Sequence, residues 1–200
     1  LDRVVHAARG VGWAPDFDIE HRDWESADES EAGHNEVTMC VDLACFPLQN
    51  ALIAGQTKVD TAARCYVRYK FYDKGAICSK PHPLVLDDDY CTSELQHHKT
   101  LVIPASAPFS WYLREERLEV QVWLTYHHDN GESSRKQRPR HRDKLIGSGY
   151  MELASLADSR RRKHRVSGVY PLFKPGASSL GGACIRAHVT LKPHTSGHVM

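Results

Sequence analysis

The sequence predicts an all-β protein, an antiparallel sandwich or barrel. Apolar residues recur at every second position in a succession of short segments, and the gaps between them hold no amphipathic helix of adequate length. Pro, Gly and Asp gather where those segments stop, which is the chemistry of tight turns. A βαβ arrangement is excluded on the same grounds, because its crossovers need long helical periodicity.

The elements follow in chain order. Residues 1 to 35 show no sustained periodicity; VVHAARGVGW is compatible with a strand or short helix, and the acidic stretch 16 to 31 reads as a solvated linker. The first clear strand, VTMCVDLACF at 37 to 46, ends at Pro47 and is expected to bury Val37, Met39, Val41, Leu43 and Cys45. The second, CYVRYKFYD at 65 to 73, sets Cys65, Val67, Tyr69 and Phe71 on one face and Tyr66, Arg68, Lys70 and Tyr72 on the other, and stops in the Asp73-Lys74-Gly75 turn. A short strand near Ala76 to Ser79 follows, then the KPHPLVLDDD turn region and a strand around Lys99 to Ile103. APFSWYLREE fits a single helical turn leading into LEVQVWLTY, 118 to 126. There Leu118, Val120, Val122 and Leu124 alternate with Glu119, Gln121 and Trp123.

A long polar loop runs from His127 to Lys144. LIGSGYMEL, 145 to 153, then resumes the β pattern, with Gly147 and Gly149 pointing to a bulge or a close backbone approach. Leu153 to Arg165 reads as a short helix with a basic end, suited to the helix dipole. VYPLF and GACIRAHVTL supply the last two strands.

At 200 residues the chain suits one core with flanking segments: an extension and acidic linker at 1–35, the main domain at 36–193 and a tail at 194–200. No run approaches the roughly 20 apolar residues of a transmembrane helix. The chain opens at Leu1 without a basic-then-apolar leader, so it reads as a piece of a longer protein. Six cysteines are scattered without a CxxC pair, and Cys40, Cys45 and Cys65 fall in strands as small apolar residues; a reduced, intracellular setting is expected.

The net charge of +1 hides an asymmetry. Against the acidic 16 to 31 stand two basic segments. One carries Arg135, Lys136, Arg138, Arg140, Arg142 and Lys144; the other carries Arg160, Arg161, Arg162, Lys163 and Arg165. Such charge attracts an acidic protein surface, the outer face of microtubules included, or an anionic phospholipid membrane, and solvated loops carry it too. Nucleic acid is not expected, since no aromatic stacking platform or recognisable binding motif accompanies the basic runs.

Candidate chemistry is thin. His97-His98 and His127-His128 are adjacent pairs, which on a strand point to opposite faces and chelate one ion poorly. Asp87-Asp88-Asp89 follows two prolines and reads as a turn. Gly147-Ser148-Gly149 lacks the frame of a nucleophile elbow and sits inside a strand pattern. Trp111 and Trp123, with Tyr66, Tyr69, Phe71 and Tyr72, read as core and sheet-face packing. Neither an enzyme nor a cofactor is expected.

Five pieces, VTMCVDLACFPL, CYVRYKFYD, YLREERLEVQVWLTY, KLIGSGYMELASL and GACIRAHVTL, occur in an order and spacing that resembles C2 domains over residues 37 to 192. The aromatic CYVRYKFYD and YLREERLEVQVW strands are similar to the divergent C2 domains of centriolar and ciliary proteins. The resemblance implies a C2-like antiparallel β-sandwich of about eight strands with one or two short helices in its connections. It also implies a non-catalytic interaction module of a large scaffold serving centriole elongation, distal appendage assembly and ciliogenesis. Such a module docks to scaffold neighbours in the cytoplasm, at the cytoskeleton, the centriole within the centrosome and the basal body of the cilium. Oligomeric state is left open.

In calcium-binding C2 domains, carboxylates from two loops converge on the ion, because a hard cation needs six to eight oxygen ligands. The positions matching that pattern here are Leu124, Tyr126 and Lys144, while Asp129 and Asp143 lie out of step and the earlier loop offers only Asp60. Calcium independence is therefore expected.

Overall fold

A computed structural model describes residues 33–52, 57–126, 143–158, 164–177 and 180–194, with positions 193 and 194 described as backbone only. The acidic stretch 16 to 31, Arg135 to Arg142 and Arg160 to Lys163 lie outside them.

Among the described residues, ten strands form two antiparallel sheets. They are β1 (His34–Pro47), β2 (Ala63–Lys70), β3 (Ala76–Cys78), β4 (His82–Pro83), β5 (Val85–Leu86), β6 (Tyr90–Pro104), β7 (Arg117–Tyr126), β8 (Lys144–Glu152), β9 (Arg165–Pro171) and β10 (Cys184–His194). The first sheet has the order β5-β6-β1-β10-β9, and the second β3-β2-β7-β8 with β4 also on β2. The expected sandwich is the fold observed.

β2 and β7 show how the sequence builds the core. Cys65, Val67, Tyr69 and Phe71 are all buried, and so are Leu118, Val120, Val122 and Leu124 opposite them, so two unbroken period-two patterns meet in register. Burying a side chain of this size contributes about 1.5 to 3 kcal/mol. The Cys65 thiol is pushed up to about 12 by burial, so it behaves here as an inert apolar filler.

β1 departs from the expected parity. Val37, Met39 and Val41 are buried, but beyond them Ala44 and Phe46 face the core, while Leu43 and Cys45 are only partly buried. A bulge at Asp42 is the cause: the register slips between Val41 and Leu43 against both neighbours, and one extra residue moves every later side chain to the opposite face.

β6 is longer than the Lys99 to Ile103 segment expected. Its first half alternates Cys91, Ser93 and Leu95 into the core, with the Ser93 hydroxyl donating to Pro83 O at 3.0 Å, and Gln96 takes φ 43° where the strand bulges. The Asp87 to Asp89 run is the expected turn, closed by Asp87 N–H donating to Tyr90 O at 2.8 Å.

The expected single helical turn is a nine-residue helix, Ala107–Glu115. Ser106 caps it by accepting from Phe109 N–H, Pro108 suits the first turn, and Phe109 and Leu113 bury one face. Phe109 packs beside Phe71 and Tyr72, with ring centroids 6.4 and 5.3 Å apart. In place of the helix expected over 153 to 165, the described residues hold a 3-10 turn, Ala154–Leu156, with Leu153 and Leu156 both buried at a three-residue spacing, and Arg165 already begins β9.

Gly147 and Gly149 justify their expectation. An added Cβ at Gly147 would lie 2.8 Å from Leu180 Cδ1 and 2.9 Å from Phe173 O, and the β7–β8 register shifts beside it. No helix among the described residues is long and apolar enough to cross a membrane.

Candidate functional site

Tyr126, the last residue of β7, pairs with Ala63, the first of β2, and Lys144 opens β8 beside them. One end of the sandwich therefore gathers the connection after β1, the connection between β7 and β8, and the connection between β9 and β10. All three positions that matched the calcium pattern belong to this tip.

Leu124 is fully buried in the core. Tyr126 is 5% exposed and its hydroxyl donates to Ala51 O at 2.8 Å. Burial first, and then the Asp60 carboxylate, push its phenol up to about 12, so it stays a neutral donor. Lys144 Nζ donates to the next carbonyl, Leu52 O, at 2.6 Å. Burial, and then the charge of Lys174, lower its pKa from the ordinary lysine value. Lys174 Nζ in turn donates to Leu145 O at 2.9 Å, and Asn50 Nδ2 to Leu180 O at 3.1 Å.

The nearby carboxylates have other employment. Asp60 Oδ1 accepts from Ala62 N–H at 2.8 Å while its carbonyl accepts from Ala63 N–H, a local turn that starts β2. Asp143 Oδ2 accepts from the Tyr66 hydroxyl at 2.8 Å; burial and then this carboxylate raise the Tyr66 pKa. Among the described residues no three His, Cys, Asp or Glu side chains gather to hold a metal ion. What the tip offers is two ammonium groups, one held against the loop carbonyl of Leu52 and the other against Leu145 O of β8, an arrangement that repels a divalent cation and attracts an anion.

Of the basic residues singled out in the sequence, Arg135, Lys136, Arg138, Arg140, Arg142, Arg160, Arg161, Arg162 and Lys163 lie outside the described residues. Lys144 is half-buried with its ammonium turned back on the protein, whereas Arg165 is exposed at the start of β9. These two do not come together. β8 runs from Lys144, opposite Leu124, to Glu152, opposite Arg117, and β9 starts at Arg165, opposite Thr190, before running back to Pro171 beside Cys184. Lys144 thus lies at the tip and Arg165 toward the far end, roughly 25 Å away along a nine-residue strand.

Two features go beyond the sequence reading. Arg68 and Lys70 are exposed on the outer face of β2 to which CYVRYKFYD assigned them, and Arg64, which lies before that segment, joins them on this face with its guanidinium donating to Thr61 O and Ala63 O. Beside them Trp123 Nε1 donates to Gln121 Oε1, Gln121 Nε2 to Glu119 Oε1, and Ser148 Oγ to the same Glu119 oxygen at 2.6 Å. That chain of bonds fixes the side chains of β7's outer face. His97 and His98 point to opposite faces as expected; the His97 ring bonds the Tyr69 hydroxyl at 2.9 Å, and His98 is exposed.

No family model matches the chain. It is 39% identical over 197 residues to C2 domain-containing protein 3 of Xenopus tropicalis and 37% identical over 198 residues to that of Homo sapiens, matches that take in 95% and 98% of this chain. The protein of the same name from Mus musculus is 34% identical over 195 residues. In each case the chain spans 8% of the relative's length. Among solved structures, a calcium-bound pair of C2 domains from Extended-Synaptotagmin 2 is similar with a TM-score of 0.46 and 15% identity, over 81% of this chain and 44% of that one. A single C2 domain of a plant Extended Synaptotagmin 1 is similar with a TM-score of 0.46 and 11% identity, over 82% of this chain and 98% of that one. The chain is an antiparallel β-sandwich, similar along nearly its whole length to one segment of C2 domain-containing protein 3.

Proposed function

We propose that this chain is a non-catalytic, calcium-independent docking module of a large centriolar or ciliary scaffold, and that its positive tip and basic segments hold an acidic protein partner. One observation carries the reading. At the tip positions where a C2 sandwich would place ion-binding carboxylates, Tyr126 and Lys144 donate instead to Ala51 O and Leu52 O. A fixed protein cation occupies the Leu52 carbonyl and a neutral phenol the Ala51 carbonyl, both otherwise free to coordinate, and a second ammonium lies close enough to lower the lysine's pKa. A site at the centriole, in the centrosome or at the base of the cilium, goes with this reading.

Two experiments test it. Titration calorimetry is expected to give no heat of binding with calcium in the micromolar range, and a saturable signal there would sink the proposal. Proximity labelling in ciliated cells with this chain, with and without residues 131 to 144, is expected to lose centriolar neighbours when the loop is removed.

The stripe formed by Arg64, Arg68 and Lys70 favours a second reading, attachment to anionic phospholipid without calcium. Flotation with vesicles containing phosphatidylserine at moderate salt separates the two, since a protein-docking module stays at the bottom of the gradient.

A further inference from the structure

Among the described residues the long edge of the first sheet is open. β5 pairs with β6 only at Thr92 and Cys91, and no strand among the described residues lies beside β6 from His97 to Pro104. Ala105 N–H donates to Gly33 O at 2.7 Å where the β1–β6 ladder begins. Bonded pairs in an antiparallel ladder recur every second residue, so Ile103, Leu101 and Lys99 bond to Asn35, Val37 and Met39. His98, Thr100 and Val102 therefore aim their N–H and C=O groups away from β1, and these groups have no backbone partner among the described residues.

Edges are usually blunted by proline, by charge or by a covering segment. Here β5 covers two residues, the bulge at Gln96 lies before the open run, and Pro104 lies at its end. Between them Val102 is 62% exposed and the Thr100 hydroxyl reaches only its neighbour Thr38, at 3.2 Å. The run His97 to Pro104 holds no carboxylate, and Lys99 is exposed within it.

We propose that the His98–Val102 edge of β6 receives an extended, carboxylate-bearing segment of a protein partner, which adds to the first sheet as a further strand. The proposal rests on the docking reading above and states the form the partner takes. Only an extended backbone presents donors and acceptors at the two-residue repeat, about 6.8 Å, that the open groups require. Thr100 and Val102 favour β-branched residues opposite them. Lys99 favours Asp or Glu at the diagonal position and disfavours a second copy of this chain, which would bring its own Lys99 and His98 to the same edge.

The test uses the 200-residue chain and a synthetic ten-residue probe in which Val and Thr alternate with Glu, together with a twin whose alternate amides are N-methylated. Amide hydrogen exchange read by NMR is expected to slow about tenfold or more at His98, Thr100 and Val102 with the probe, and not with its twin. Thr100→Pro removes an outward donor that no neighbour uses, and is expected to weaken probe binding about tenfold. Val102→Asp, at a position exposed enough to leave the fold intact, sets a charged side chain against the probe's Val and Thr and is expected to weaken it as well. Equal binding by the N-methylated twin, protection elsewhere on the sandwich, or unchanged binding by both variants overturns the proposal. A dimer that Thr100→Pro dissociates overturns it in favour of self-pairing. In cells, neighbours lost on removing 131 to 144 but kept by Thr100→Pro would reject the edge and leave the docking reading standing; neighbours kept by both variants would reject both.

Discussion

Tyr126 and Lys144 commit their polar atoms to two successive carbonyls, Ala51 O and Leu52 O, and through them the connection after β1 is tied to β7 and β8. Tyr126→Phe keeps the ring and removes one buried donor, so chemical denaturation should show a loss of about 1 kcal/mol. Gly147 is a harder constraint. A methyl there meets Phe173 O, a backbone atom held by the paired bonds between Phe173 and Ser148, and Gly147→Ala should lower stability by about 1 to 3 kcal/mol in the same measurement. His97 supplies a pH dependence. Burial, and then His98 and Lys99, lower its pKa below the ordinary imidazole value, so the fold binds the neutral ring. Its contribution is complete above about pH 6.5 and is lost as pH falls through the lowered native value, because the unfolded chain takes up the proton first. His97→Gln retains a bonding group for the Tyr69 hydroxyl but does not titrate. The gap in melting temperature between parent and variant should therefore narrow on going from about pH 7.5 to about pH 5.

The strands differ in how openly their sequences announce them. CYVRYKFYD and LEVQVWLTY were legible because nothing interrupts their alternation as far as Leu124, and each position assigned to the core in them is buried; Thr125 and Tyr126, buried at the end of β7, were not among those assigned. β1 was legible only as far as Asp42. The bulge is set by pairing with β6 and β10 on either side, information that no local window contains, so Leu43 and Cys45 were assigned to the core in place of Ala44 and Phe46. Inserting one Ala after Asp42 would shift the parity once more and turn Phe46 out of the core. The expected result is loss of cooperative unfolding by circular dichroism, far beyond the effect of substituting Asp42 in place. β6 was missed over its first half because Ser93 is polar yet buried, its hydroxyl satisfied by Pro83 O. The positions at the tip were legible from parity and resemblance, but their partners were not: the bonds from Tyr126 and Lys144 close over 75 and 92 residues of sequence.

Taken whole, the sandwich sets Lys144 and Arg165 apart. Strand geometry puts one at the tip and the other toward the far end, roughly 25 Å from each other. Counterions at physiological salt damp a field within about 8 Å, so neither of these two charges feels the other through solvent. Charge removed from one cannot be compensated by charge added to the other, and losses of affinity from mutating each should multiply as those of independent contacts do.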